Sequence, residues 1–164
     1  MTVKNTVMVA ALMALGATAP ASAESQLKRG AYLVQIMGCG NCHTPGHFLG
    51  KPDLAHKLSG SDVGFQVPGL GYFWGANLTP DPETGIGNWT QPQIVTALRT
   101  GKRPDGRELG PPMPWRAFAA LTNADANAIA AFLKTLPPTR HRVVGPLGGD
   151  AKPASPYMTV VMPK

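Results

Sequence analysis

The sequence predicts a helical protein of short helices joined by long loops. Apolar residues recur at helical spacing over a few short stretches. The chain's 19 glycines and 17 prolines among 164 residues leave much of the remainder to turns and loops. No strand–helix–strand rhythm is visible.

The elements follow in order. A first helix is expected from about Ser25 to Met37, with Leu27, Ala31, Val34 and Met37 (or Gly38) near one face. It runs directly into Cys39. His47 to Phe73 holds five glycines and two prolines and reads as loop. Asn77 to Asn88 is also rich in turn residues. A second helix starts at Thr90, where Thr90 and Gln93 have the spacing of a capping box. Ile94, Val95 and Leu98 supply its apolar face, and Gly101 ends it. Lys102 to Pro114 is a loop closing on Pro111-Pro112-Met113-Pro114. Trp115 to Leu121 is a short helical turn. The last helix begins at Thr122, with Asp125 favourably near its N-terminal dipole. Its apolar surface is Ala126, Ile129, Ala130, Phe132, Leu133 and Leu136, and Pro137-Pro138 stops it. One β-like patch, Tyr157 to Val161, interrupts the Pro- and Gly-rich tail.

This divides the chain into a targeting segment (1–23), one folded domain (24–138) and a C-terminal tail (139–164). Lys4, the apolar run Val7–Ala19 and the small-x-small triplet Ala21-Ser22-Ala23 form a signal-peptide pattern, with cleavage expected after Ala23. No second apolar run approaches spanning length, so no integral membrane segment is expected after cleavage. The destination is the periplasm. The formal charge of +6 favours acidic partners or anionic surfaces. Nucleic acid is excluded as a partner, because export removes the protein from it and the basic residues are scattered.

The two cysteines are Cys39 and Cys42, too few for a disulfide framework and placed in an oxidising compartment. They belong to Cys39-Gly40-Asn41-Cys42-His43. Two thiols at this spacing can add across the two vinyl groups of one haem, and the adjacent histidine can then ligate the iron. Zinc requires about four ligands, and no second Cys/His pair with suitable spacing exists. A redox dithiol would follow a strand in an α/β pattern, whereas this motif follows a helix. One covalent haem c, with His43 as the proximal iron ligand, is the expectation.

The other face of the iron is open or capped. Met113 is the favoured cap, because prolines stiffen its loop and little entropy is lost on ordering it. Met37 lies on the proximal side, and Met158 and Met162 lie in the tail. His47, His56 and His141 compete for the position, His56 most seriously. Trp74, Asn77, Trp89 and Arg99 are candidate hydrogen-bond donors to the haem propionates. Pro45, Gly60, Leu70 and Phe73 are candidate walls, and Tyr32 reads as core. Lys51, Lys57, Lys102, Arg103 and Arg107 lie in loops able to surround a haem edge and steer an acidic partner.

Several segments carry a family resemblance. They are Arg29-Gly30-Ala31-Tyr32-Leu33-Val34, the haem motif with Thr44-Pro45, and Asn77 to Gly87. Leu98-Arg99-Thr100-Gly101, Arg103-Pro104-Asp105-Gly106, Pro112-Met113-Pro114-Trp115 and Leu121 to Lys134 follow. Together they resemble class I cytochromes c, and more narrowly one haem domain of the cytochrome c subunits of periplasmic alcohol, aldehyde and gluconate dehydrogenases. The resemblance covers about Gln26 to Pro138. It implies an all-α class I cytochrome c fold with the terminal helices crossing around one haem. It places the distal iron ligand at Met113 and a close helix contact at Gly30 with Phe132 or Leu133. Those subunits commonly hold two or three haem motifs and a membrane-associating C-terminal segment. One motif and a short mixed tail fit a freestanding single-haem carrier better. The expected function is electron transfer, not enzymatic catalysis. A periplasmic dehydrogenase would donate the electrons, and an oxidase or another cytochrome of the respiratory chain would accept them.

Overall fold

A computed structural model describes residues 20–163. The apolar run Val7–Ala19 lies outside these residues. Helix α1 spans Pro20–Ile36, so the expected cut after Ala23 falls within its span. Four further helices follow: α2 at Cys39–His43, α3 at Gln91–Thr100, α4 at Trp115–Phe118 and α5 at Asn123–Thr135. Single 3-10 turns cover His47–Leu49 and Leu54–His56.

The helix ends obey local chemistry. Thr90 Oγ1 accepts from Gln93 N at 3.3 Å, and Gln93 Oε1 accepts from Thr90 N at 2.9 Å. This is the reciprocal capping box expected at the start of α3. Thr122 Oγ1 accepts from Asp125 N at 3.0 Å and caps α5. Asp125 also accepts from Arg29 Nε at 2.8 Å, tying the start of α5 to α1. That bond raises the Arg29 pKa and lowers that of Asp125.

Helices α1 and α5 share the broadest contact between helices. Leu33 and Val34 from α1 meet Ile129, Ala130 and Leu133 from α5, joined by Leu58, Ile86, Ile94 and Leu98. The close approach has a specific cause. A Cβ at Gly30 would collide with the Ala128 carbonyl and stand 2.7 Å from Phe132 Cβ. Gly30 therefore meets Phe132, as expected, and also the Ala128 backbone. Tyr32 is not core: it is 54% exposed, and Arg29 stacks on its ring at 5.7 Å. It lies on the outer face of α1, away from the buried Gly30, Leu33 and Val34.

The loop expected over 47–73 contains a hairpin. Strand β1 (Gly64–Val67) pairs antiparallel with β2 (Gly71–Trp74). The turn is set by Pro68-Gly69, with Gly69 at φ 77 and Leu70 N donating to Val67 O at 3.0 Å. That is Pro and Gly at the central positions of a tight turn. Strand β3 (Tyr157–Met158), inside the β-like patch of the tail, pairs parallel with β1, giving the order β2-β1-β3. The all-α expectation therefore gives way to five helices plus a small sheet among the described residues. No described helix is long and apolar enough to cross a membrane.

The Gly30 contact generates a test. Gly30→Val forces side-chain volume into a closed helix crossing and should destabilise the protein by about 1–3 kcal/mol. Urea unfolding should show a lower midpoint at an unchanged slope.

Candidate haem-binding site

Helix α2 begins at Cys39 and ends at His43, placing the two cysteines and the histidine on one short element. Cys39 is half-buried and packs against the main core. Cys42 and His43 line an open cavity of about 740 Å³, a volume that includes its solvent-facing part. Phe65, Phe73, Trp74, Gly75 and Ala76 form another wall, from the hairpin and the loop after it. Arg103, Arg107, Leu109, Gly110, Pro112 and Met113 come from the loop between α3 and α4. Residues about 70 positions apart in sequence thus share one cavity, His43 and Met113 among them.

The His43 ring is fixed by its second nitrogen. Nδ1 lies 2.7 Å from the Ala76 carbonyl oxygen. A carbonyl only accepts, so Nδ1 carries the proton and Nε2 keeps a free lone pair. Burial pushes the His43 pKa down, with the Ala76 bond pulling the other way. The neutral imidazole that results is the form that ligates a metal. The backbone is held as well, since Gly60 N donates to His43 O at 2.8 Å. Gly75 lies so close that a Cβ there would collide with the Cys42 carbonyl oxygen.

Burial raises the pKa of both cysteine thiols, Cys39 and Cys42. Redox dithiols depend on a lowered thiol pKa, so the environment disfavours that chemistry. Both thiols are free. Trp74 adds an observation of a different kind. Its Nε1 is buried and has no hydrogen-bond partner, although its side chain lines the cavity. A buried donor without a partner costs about 1–3 kcal/mol. A haem carboxylate would supply the missing acceptor. Free thiols, an oriented neutral histidine, apolar walls and an orphaned donor together fit a covalent haem. Cys39 and Cys42 would attach it and His43 would ligate its iron.

The remaining sequence candidates separate clearly. His47 stacks edge-on against Phe48 at 5.4 Å, His56 pairs with Asp53 at 2.6 Å, and His141 bonds the Ser59 carbonyl at 2.9 Å. None of the three lines the cavity. Met37 packs against the core, and Met158 and Met162 are exposed. Phe73 is a wall, but Leu70 is 57% exposed at the hairpin turn. Pro45 and Gly60 stand outside the lining. Asn77 is not a free donor. Its two amide hydrogens go to Thr84 Oγ1 at 3.1 Å and Thr139 O at 2.8 Å. Arg99 bonds Asn123 Oδ1 at 2.6 Å, away from the cavity. Trp89 lies beneath the Arg103 guanidinium at 5.3 Å. Of the expected cationic rim, Arg103 and Arg107 face the cavity, whereas Lys57 donates to Gln35 Oε1 at 2.9 Å. Phe65, Leu109 and Pro146 were missed as wall residues, because only the three-dimensional fold brings them there.

Comparison with known proteins now gives the class. The family model for cytochrome c matches residues 27–137, and this chain belongs to the cytochrome c family. Membership implies covalent haem c with iron, and the two cysteines suffice for one such attachment. The chain is 39% identical over 109 residues to the cytochrome c subunit of a quinone alcohol dehydrogenase from Gluconobacter oxydans (strain 621H), covering 66% of this chain and 21% of that protein. It is 36% identical over 113 residues to a fructose dehydrogenase cytochrome subunit from Gluconobacter japonicus, covering 66% and 22%. A diheme cytochrome c-type protein of Cereibacter sphaeroides is 31% identical over 141 residues, covering 81% and 46%. The chain thus spans about a fifth of the first two relatives and under half of the third.

The cavity rim has a defined pH response. Asp105 accepts from Arg107 Nη2 at 2.7 Å and lies 3.3 Å from Arg103 Nε. Hydrogen bonding to Arg107 leads the causes that hold its carboxyl pKa at about 2, below the usual 3.8. A lowered folded pKa stabilises the protein above the unfolded value and ceases to do so as pH falls through the folded one. Exposure of the pair keeps the effect small. Urea unfolding of wild type and Asp105→Asn should therefore differ at pH 5 and converge as pH falls from about 3.8 to about 2.

Proposed function

We propose that this protein is a periplasmic electron carrier with the class I cytochrome c arrangement. One covalent haem is attached at Cys39 and Cys42 and ligated by His43 and Met113. The observation that carries this reading is that His43 and Met113 line one cavity, with His43 Nδ1 committed to Ala76 and Nε2 left free. When bound, the haem supplies a one-electron ferric/ferrous couple. The residues do the rest. Residues Cys39 and Cys42 retain the group without a large apolar pocket. His43 is held in one tautomer by Ala76. Met113, on a proline-stiffened loop, would be the second iron ligand and would leave no open site for small molecules. Its thioether favours the ferrous state and raises the potential relative to a second histidine. Phe65, Phe73 and Trp74 limit water near the couple. Glu108 is the one carboxylate among the lining residues, and the relatives named as cytochrome subunits favour transport of electrons as the reading.

In this reading the signal peptide covers residues 1–23 and export delivers the chain to the periplasm. The haem domain covers 24–138 and the tail 139–164. The electron donor is a dehydrogenase, since the relatives named above are cytochrome subunits of such enzymes. The acceptor is an oxidase or another cytochrome of the respiratory chain. Arg103 and Arg107 stand at the cavity, but Asp105 pairs with both and Glu108 shares the lining, so their charge is largely balanced locally.

The optical spectrum of the exported protein tests this. A c-type pyridine haemochrome, a far-red sulfur-to-iron band when oxidised and no response of the reduced form to carbon monoxide are expected. Met113→Ala should remove the far-red band and admit carbon monoxide while keeping the covalent haem. Wild-type protein that binds carbon monoxide and lacks the band would instead favour an open-site haem enzyme or sensor.

A further inference from the structure

The segment after Pro138 lies beyond the residues matched by the family model, yet it is built into the molecule. Thr139, His141 and Val143 are half-buried, and Arg140, Arg142 and Val144 are exposed. This is the period-two alternation of an extended strand against a surface. Thr139 N donates to Thr79 Oγ1 at 3.1 Å, and Thr139 O accepts from Asn77 Nδ2 at 2.8 Å. His141 N donates to Thr84 Oγ1 at 3.0 Å. Its ring Nδ1 lies 2.9 Å from Ser59 O and must carry the proton, because a carbonyl only accepts. Val143 covers Gly60 so closely that a Cβ there would collide with Val143 Cγ2. Further on, Pro146 joins the cavity wall. Leu147 then exchanges two backbone hydrogen bonds with Tyr72, at 2.9 and 3.0 Å.

What lies beneath this strap gives it meaning. Leu58 has φ 67, a left-handed conformation unusual for a residue with a side chain, and it is buried. Such a backbone persists only where its surroundings over-determine it. Gly60, two residues on, is held at φ 110. Its N–H is the group that grips the His43 carbonyl at 2.8 Å. Ser59, between them, is fully buried, and His141 satisfies its carbonyl. Without that donor the Ser59 carbonyl is a buried acceptor left unpaired, and the loop gains a reason to relax.

We infer that His141 and Val143 are positioning residues for His43: the strap pins Ser59-Gly60 from behind, and the pinned Gly60 N–H fixes the backbone of the histidine whose ring Ala76 orients. The inference rests on the haem reading for its effect on potential, and on the protein alone for its effect on Gly60. A fixed His43 backbone keeps the imidazole in one orientation and keeps water out from behind the motif. Loosening it favours the more highly charged ferric state and lowers the potential.

The test uses the full chain with haem attached. The Gly60 amide exchange rate, the midpoint potential and the thermal midpoint are measured for wild type, His141→Ala, His141→Asn and Val143→Ala. His141→Ala should speed Gly60 exchange about tenfold, the scale of one lost buried hydrogen bond, and lower the potential. His141→Asn, whose amide can donate in place of Nδ1, should restore both. Val143→Ala should move both in the same direction by less, and serves if His141→Ala does not fold. A fall in thermal midpoint with Gly60 exchange and potential unmoved would overturn the inference, because the strap would then be packing alone. Absence of covalent haem from the wild type would overturn the function proposed above. Gly60 exchange in that haem-free chain would still decide whether the strap pins the loop.

Discussion

The hydrogen bond from His43 Nδ1 to the Ala76 carbonyl, at 2.7 Å, is the constraint on which the rest of the site depends. A histidine at the end of a five-residue helix has no intrinsic orientation. The bond selects one tautomer, aims the other nitrogen away and accounts for a buried polar ring. It also demands that the chain return 33 residues later at a fixed distance. The intervening hairpin and 3-10 turns serve that return. Gly75, which meets the Cys42 carbonyl too closely for any side chain, shows how tightly the two segments are pressed together.

The helical core supplies the fixed frame for this contact. Gly30 lets α1 lie against the Ala128 backbone of α5, and Leu33, Val34, Ile129 and Leu133 close the crossing. Cys39 and Met113 both touch that same core. The two sides of the candidate site are therefore referenced to one rigid body, although they come from distant parts of the chain. A rigid frame suits a protein whose proposed work is to hold a redox couple still, since small rearrangement on electron transfer keeps exchange fast.

The legible parts of the sequence were those whose physics is local. The capping box at Thr90 and Gln93, the start of the last helix near Thr122, the Gly101 and proline stops and the Cys39–His43 motif all depend on spacings within five residues. The Gly30 contact came from family resemblance rather than from pattern. What the residues could not show was long-range. Asn77 is a candidate propionate donor by residue type, and nothing nearby in the sequence reveals that Thr84 and Thr139 take both its hydrogens. Tyr32 reads as core by residue type, and only the packing of Gly30, Leu33 and Val34 on the opposite side of α1 shows that it faces outward. The hairpin had a signal in Pro68-Gly69, but four-residue strands carry too little alternation to outweigh the surrounding glycines. The packing of the tail was equally out of reach, because Thr-Arg-His-Arg-Val-Val from Thr139 to Val144 has no apolar alternation and its partners, Ser59, Asn77, Thr79 and Thr84, lie far back in the chain.

The most direct test of the account follows the methionine methyl groups of the reduced, haem-loaded protein by NMR, with each methionine methyl labelled. A methyl held against the haem face experiences a large ring-current shift, and others do not. The account predicts one strongly upfield methyl, assigned to Met113 by its disappearance in Met113→Leu, with Met37, Met158 and Met162 near their ordinary positions. No upfield methyl, or one that belongs to any of those three, would contradict the pairing of His43 with Met113 across the cavity.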